Sequence, residues 1–419
     1  MVLLSTDKKV ARPAVRPAVK PEARPAVKPE VLLFVFLLFS VFLISLFPIS
    51  LPATPPTNGQ SFITQYNDRL VIKDTNQRFR FVGGNHFNLL VKYLWGEFHG
   101  LTGEDVFRIS AEHDVKVIRF WATCSNGYWS DQCLYFGPNN WKNSRQDFLE
   151  RFDELVADAE EYEVYLMPVL TDAYYTFKWM GSTTGLNNTE VCQVGNEANL
   201  EYKEFVADIV SRYSSSEAIL AWEIGNEGQR YCANYEDLLE WYEDTANYIR
   251  ELDSNHLIST GENNFGSMDK TKFKAVHSSE EIGLASVHIY DEDLHRMVDG
   301  VEVNGGEVNG REVGNSEGIE AEIELFISYW TSVAHNELKK PIYFGEIGPY
   351  DLAANPDFYD YALKAAYSSG VDGIIIWSWL EGAECDSPQS EGGSCITPTR
   401  TPDITERISY WAGKFEKKN

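Results

Sequence analysis

Eight short apolar runs, separated by stretches with helical periodicity, fill residues 79–379 and constrain the fold more than any other feature. They are FRFVGGN (79–85), VKVIRFW (115–121), VYLMPVL (164–170), ILAWEIG (219–225), LIST (257–260), LASVHIY (284–290), PIYFGEI (341–347) and GIIIWSW (373–379). The helical patterns are clearest in RQDFLERFDELVADAEEY, LEYKEFVADIVSRY, YEDLLEWYEDTANYIREL, IEAEIELFISYWTSVAHNEL, FYDYALKAAYSS and ITERISYWAGKFEK. Continuous apolar runs are how strands buried on both faces read, and strict strand-helix alternation gives one parallel sheet covered by helices. Eight repeats predict the α/β class and a closed (β/α)8 barrel, the TIM barrel. The preceding FITQYNDRLVIKDTNQRFRF is predicted to form a small hairpin around Asp74-Thr75-Asn76 that caps the barrel floor, so residues 62–419 make one domain.

The N-terminus reads differently. Residues 1–30 repeat an Ala/Pro/Val/Lys unit that cannot build a core, a low-complexity basic tail with seven Lys/Arg against three Asp/Glu. Residues 31–51 run without a charge for long enough to cross a hydrocarbon layer of about 30 Å, and are predicted to be a transmembrane signal-anchor. The basic flank places the tail on the cytoplasmic side and the C-terminal bulk outside. Residues 52–61 follow as a linker. If the apolar segment were instead cleaved, the protein would be secreted.

Of the formal net charge of −27, the chain beyond the tail carries 29 Lys/Arg against 60 Asp/Glu, a net of −31. That charge excludes nucleic acid as a partner. Cys124, Cys133, Cys192, Cys232, Cys385 and Cys395 all lie beyond the apolar segment, which predicts structural disulfides in an oxidising compartment. Nearest-neighbour pairing is one of 15 possibilities. No CxxC spacing marks a zinc site, and neither a metal nor another cofactor is expected. Asn187-Asn188-Thr189 is a glycosylation sequon for a cell that glycosylates.

In such barrels the reactive groups sit where strands end, because the strand-to-helix loops converge there over a solid interior. Glu227 closes the fourth barrel strand and Glu346 the seventh, where an apolar strand has no stability reason to hold a charge. Those strands face each other, and two carboxylates about 5 Å apart are the pair used for retaining hydrolysis of a glycosidic bond.

With its Asn-Glu pair after an apolar strand, together with VIRFW, VHIY, YFGEIG and IIIWSW, the chain resembles glycoside hydrolase family 5 over residues 62 to 416. The resemblance implies a catalytic domain with Glu346 as nucleophile and Glu227 as acid/base. It implies Arg119 holding the nucleophile, Asn226 at the sugar 2-hydroxyl, Tyr290 touching the nucleophile, and His288 lining the site near the acid/base. Trp377, rather than Trp379 at a different depth on the same side, would lie under the reacting sugar. AWEIGNE, with Asn85 in GGNHFNL and Trp121 in RFW, looks most like the endo-β-1,4-mannanase branch, which implies mannan or glucomannan as substrate. Thr171-Asp172 stands where that branch carries an Asn pair, and the tryptophan expected after His-x-Tyr is absent. A β-1,4-glucanase, an exo-β-mannosidase and, more remotely, a non-catalytic membrane-tethered carbohydrate-binding barrel are the alternatives.

Overall fold

All eight runs are strands in the computed structural model, which describes residues 59–96, 100–123, 141–172, 190–230, 232–263, 269–291, 294, 316–349, 352, 355–380 and 395–417. The tail, the apolar segment 31–51, residues 52–58, the sequon, Cys124, Cys133 and Cys385 lie outside the described residues. Among the described residues no helix is long and apolar enough to cross a membrane.

The barrel strands are β3 (Phe81–Asn85), β4 (Val117–Trp121), β5 (Tyr165–Val169), β6 (Ala221–Glu223), β7 (Leu257–Ser259), β8 (Ala285–Tyr290), β9 (Ile342–Gly348) and β10 (Gly373–Ile376). All pair in parallel, in the order β7-β6-β5-β4-β3-β10-β9-β8. A parallel bridge between Ser259 and Leu284, with the Leu284 N–H donating to Ile258 O at 3.2 Å, closes the ring between β7 and β8. Closure leaves no sheet edge unpaired.

Helices α1 (Leu89–Trp95), α2 (Gly103–Glu112), α3 (Trp141–Glu161), α4 (Glu197–Tyr213), α5 (Tyr235–Leu252), α6 (Lys270–Val276), α7 (Ser316–Ser332), α8 (Phe358–Ser369) and α9 (Pro402–Lys417) accompany the strands. α5 shows why. Leu238, Trp241, Tyr242, Ala246 and Ile249 recur at helical spacing and are buried, while the Asn234 side chain caps the first turn by accepting from Asp237 N–H at 2.8 Å. Such a cap contributes about 1 kcal/mol, and truncating Trp241 would cost roughly 3–5 kcal/mol. These faces pack on the outer surface of the strands in one continuous core.

A second, smaller core fills the barrel floor, where Phe81, Val117, Met167, Leu220, Leu257, Tyr343 and Ile375 meet Ile63 and Leu70 of a hairpin. That hairpin, β1 (Ile63–Tyr66) with β2 (Arg69–Ile72), caps the floor, but its tight turn is Asn67-Asp68 rather than Asp74-Thr75-Asn76. Asn67 takes a φ of 56°, a conformation Asn tolerates well. The Asp74–Asn76 segment makes a second reversal, closed by a bridge between Val71 and Arg78. Residues 60 and 61, read from sequence as linker, already touch the barrel: Gln60 is buried, and the Tyr165 hydroxyl donates to Ser61 O at 2.9 Å.

Candidate active site

At the C-terminal rim, Arg119 of β4 is the hub. Its guanidinium is fully buried, and each of its nitrogens is used. Nε donates to Glu223 Oε2 at 2.9 Å, and Nη2 to Glu223 Oε1 and to Asn226 Oδ1 at 2.7 Å. Nη1 donates to Asn85 Oδ1 at 2.9 Å and to Glu346 Oε1 at 3.0 Å. Trp121 covers one face, its ring centroid 4.8 Å from the guanidinium carbon. Burial alone would lower the pKa of this arginine, yet the charge and hydrogen bonds of Glu223, joined by Glu346, raise it above its ordinary value.

Glu346 sits on β9, which is buried along its whole length. Besides Arg119, the Tyr290 hydroxyl donates to its Oε2. Glu227 follows β6 at a φ of 55°, a strained conformation for a residue with a side chain, costing on the order of 1–3 kcal/mol. Two backbone bonds hold it there: Asn226 N–H to Thr171 O at 2.8 Å and Glu227 N–H to Gly261 O at 2.9 Å. Gly261 itself has a φ of 74°, and a Cβ there would lie 2.1 Å from Gly225 O and 2.4 Å from Glu223 Oε1.

The two carboxylates converge on His288. One oxygen of each and a ring nitrogen of His288 all lie within 4.8 Å of one another. His288 Nδ1 is 2.9 Å from Glu227 Oε1 and 3.6 Å from Glu346 Oε2. Burial lowers the His288 pKa to about 4, against the opposing pull of Glu346, so the ring is neutral near pH 7. Burial raises both glutamates, with Glu227 adding to the rise of Glu346 and Glu223 to that of Glu227. A buried guanidinium and a phenol both donate to Glu346, which favours its carboxylate form against that rise. Glu227 is also bonded by Arg230 Nε at 2.6 Å, but that arginine side chain is 36% exposed and screened by water. Each of the two glutamates thus also has an arginine on it, Arg119 on Glu346 and Arg230 on Glu227.

An aromatic wall stands beside this centre. Trp377 stacks on Phe87 at 5.7 Å and 14° between planes, and Trp121 lies 6.1 Å from Trp377. Trp377 keeps part of its surface open, whereas Trp379 is fully buried with its indole N–H on Ser110 Oγ of α2 at 2.9 Å. The two tryptophans therefore do not share a direction. Strand pairing of β10 ends at Ile376, so the period-two rule does not reach them.

A family description, GH family 5 beta-mannosidase-like, matches residues 194–364. Mannan endo-1,4-beta-mannosidase A of Aspergillus aculeatus is 26% identical over 275 residues, 58% of this chain and 68% of that one. Probable mannan endo-1,4-beta-mannosidase A-2 of Aspergillus terreus is 23% identical over 329 residues, 74% of each. In fold, the chain is similar to the endo-1,4-beta-D-mannanase of Thermotoga petrophila, with a TM-score of 0.62, 20% identity, and coverage of 80% of this chain and 100% of that one. Over residues 194–364 the chain is similar to glycoside hydrolase family 5.

The structure gathers Asn85, Arg119, Trp121, Asn226, Glu227, His288, Tyr290, Glu346 and Trp377 at one rim. Sequence reasoning missed several neighbours. Glu223 carried the same signal that singled out Glu346, an acid inside an apolar strand. Asp172, noted only as a departure, accepts from Asn226 Nδ2 at 3.3 Å and so orients that amide toward Arg119. Arg230, Glu262, Asn263 and Phe87 had no local signal, since each belongs to a loop that only the fold brings in. Cys192 pairs with Cys232 as expected, tying the turn after Glu227 to the segment ahead of α4. Cys395 is also disulfide-bonded, its partner lying outside the described residues.

Proposed function

We propose that residues 62–419 form a retaining glycoside hydrolase that cleaves β-1,4-linked mannan or glucomannan within the chain. The observation that carries this reading is the approach of Glu227 and Glu346 to within 4.8 Å, close to the roughly 5 Å of double displacement and short of the about 6.5–9.5 Å that inversion needs for its water. The family and its mannan-cleaving relatives support the substrate class.

In the first step a Glu346 oxygen attacks the anomeric carbon while the bond to the leaving oxygen breaks. The Glu227 carboxyl proton goes to that oxygen, and Glu346 becomes a glycosyl ester. Arg119 and Tyr290 hold the attacking carboxylate in place. In the second step Glu227, now a carboxylate, takes a proton from water as the water oxygen attacks the same carbon, and Glu346 leaves as carboxylate. Asn226, held by Arg119 and Asp172, presents its amide to the 2-hydroxyl, and Trp377 offers an apolar face to the pyranose ring.

The test is hydrolysis of mannan, glucomannan, cellulose and xylan by the purified protein, with proton NMR of the first product. Release of the β-anomer from internal cuts in mannan is expected. Release of the α-anomer would reject retention, and turnover of cellulose alone would move the substrate to glucans. We also propose that residues 31–51 tether the domain to a membrane with its acidic bulk outside. Release of the full chain from membranes by high salt or alkaline carbonate would reject the tether.

A further inference from the structure

Glu223 is the least expected residue of the cluster. It is fully buried in β6, one turn of chain before the rim, and engages Arg119 through Nε and Nη2. On its other side the Tyr343 hydroxyl of β9 donates to Glu223 Oε2 at 2.6 Å, and Ser259 Oγ donates to the Tyr343 oxygen at 3.2 Å. Gly261 leaves room for its Oε1 where any Cβ would collide. A carboxylate built in on three sides, inside a barrel interior otherwise packed with apolar groups, requires a reason beyond packing, because a buried ion pair seldom adds net stability over apolar residues of the same shape.

The reason lies in how the guanidinium divides its donors. Two of its three nitrogens face Glu223, and only Nη1 reaches Glu346, sharing itself with Asn85. Glu223 thus meets Arg119 through the bidentate fork, the strongest geometry available, while Glu346 receives a single bond. The other groups facing Glu346 are Tyr290 and His288 from β8 and Glu227 after β6. His288 is neutral near pH 7 and Tyr290 meets Glu346 as a hydroxyl donor, so Arg119 is the only full positive charge in direct contact with the nucleophile among the described residues.

We propose that Glu223 is a charge-setting and positioning residue: it takes up the charge of Arg119 so that Glu346 is oriented by the arginine without being fully neutralised by it, and stays basic enough to attack. This rests on the assignment of Glu346 as nucleophile. An uncompensated guanidinium would hold Glu346 as a carboxylate at lower pH and weaken it as a base, since an adjacent opposite charge lowers a carboxyl by about 1–3 pH units.

The test is Glu223→Gln, which keeps the shape and one accepting oxygen, turns the other into a donating NH2 and removes the charge. Titration of 13C-labelled glutamates by NMR, with Glu346 assigned by its loss in Glu346→Gln, reads the effect without substrate. The Glu346 midpoint should fall by about one unit. The acid limb of kcat/KM on an activated aryl β-mannoside should move down by the same amount, while kcat falls at the optimum. A midpoint that is unchanged or rises would overturn the proposal, since loss of mere support would free Arg119 from Glu346. Tyr343→Phe provides a second arm should Glu223→Gln not fold. It leaves the Glu223 charge less satisfied and more fully committed to Arg119, so the Glu346 midpoint should rise, and no change would count against the proposal. If the wild type hydrolyses no β-mannoside yet the NMR shifts appear, the substrate assignment fails and the charge-setting role stands.

Discussion

His288 Nδ1 lies 2.9 Å from Oε1 of Glu227, inside a pocket that keeps the imidazole neutral down to about pH 4. A neutral ring beside the proposed acid/base offers a hydrogen bond without adding a second positive charge to that of Arg230.

That neutrality is measurable. The His288 ring should titrate near pH 4 by NMR, and kcat/KM should show no limb near 6.5 from it. Between pH 4 and 6.5 the unfolded chain binds a proton here that the folded one does not, so this residue makes stability fall as pH drops through that window. His288→Gln should remove that part of the slope, on the order of 3 kcal/mol at its acid end. A midpoint near 6.5 in the native protein would contradict the burial argument.

The division of labour between the glutamates is readable from stereochemistry. With Glu346→Ala, azide should enter from the vacated side of an activated aryl glycoside and give the inverted glycosyl azide. With Glu227→Ala, the first step on good leaving groups should persist, the second should slow by about 10²–10⁴-fold for want of a base, and azide should restore turnover with retention. The opposite pattern would mean the roles are exchanged.

Glu262 is a further buried carboxyl at this rim. It accepts from Tyr242 and, at 2.9 Å, from the Gln229 N–H, while its Oε2 has no hydrogen-bond partner among the described residues. Burial raises it to about 7, with Glu227 adding to the rise. Its folded pKa exceeds the unfolded one, so the fold loses stability as pH rises from about 4.5 to 7, by on the order of 3 kcal/mol. Glu262→Gln should recover about 1 kcal/mol at pH 8, after the cost of an unsatisfied amide, and should lose that gain at pH 4. Denaturant melts at the two pH values decide it.

The Cys192–Cys232 bridge closes a loop with a sequence separation of 40 and a Cα–Cα distance of 5.6 Å. Chain entropy assigns such a loop about 4 kcal/mol. Replacing both by serine should destabilise by roughly 2–4 kcal/mol. Because Cys232 lies five residues beyond Glu227, kcat should fall more than binding of a slow substrate. Equal melting curves with and without reductant would argue against the bridge.

Trp377→Ala removes the open face of the aromatic wall and should cost about 1–2 kcal/mol in kcat/KM, roughly 5- to 30-fold, with melting little changed because the ring is already partly in solvent. An unchanged kcat/KM would place the reacting sugar elsewhere.

The barrel was legible because each strand is apolar along its length, and a run such as GIIIWSW has no other use in so acidic a chain. Glu227 and Glu346 were legible because a charge in such a run stands out. Glu223 stood out equally, in AWE, but its meaning depends on which guanidinium it faces, and that contact spans 104 positions. The floor hairpin was found but its turn misplaced, since Asp-Thr-Asn and Asn-Asp are both good turn formers and only pairing register separates them. Arg230, Glu262 and Asn263 are polar residues on polar loops, whose sequence says nothing of distance to the reacting carbon.

Gly261 touches the backbone of one barrel loop and the buried acid of the neighbouring strand at once. In a saturation library scored for growth on the substrate, this codon should behave like a catalytic one although it contributes no chemistry. A methyl there would push Glu223 off the arginine and Gly225 away from the turn that presents Glu227. Tolerance maps drawn from such libraries will therefore count a residue with no side chain among the enzyme's working parts.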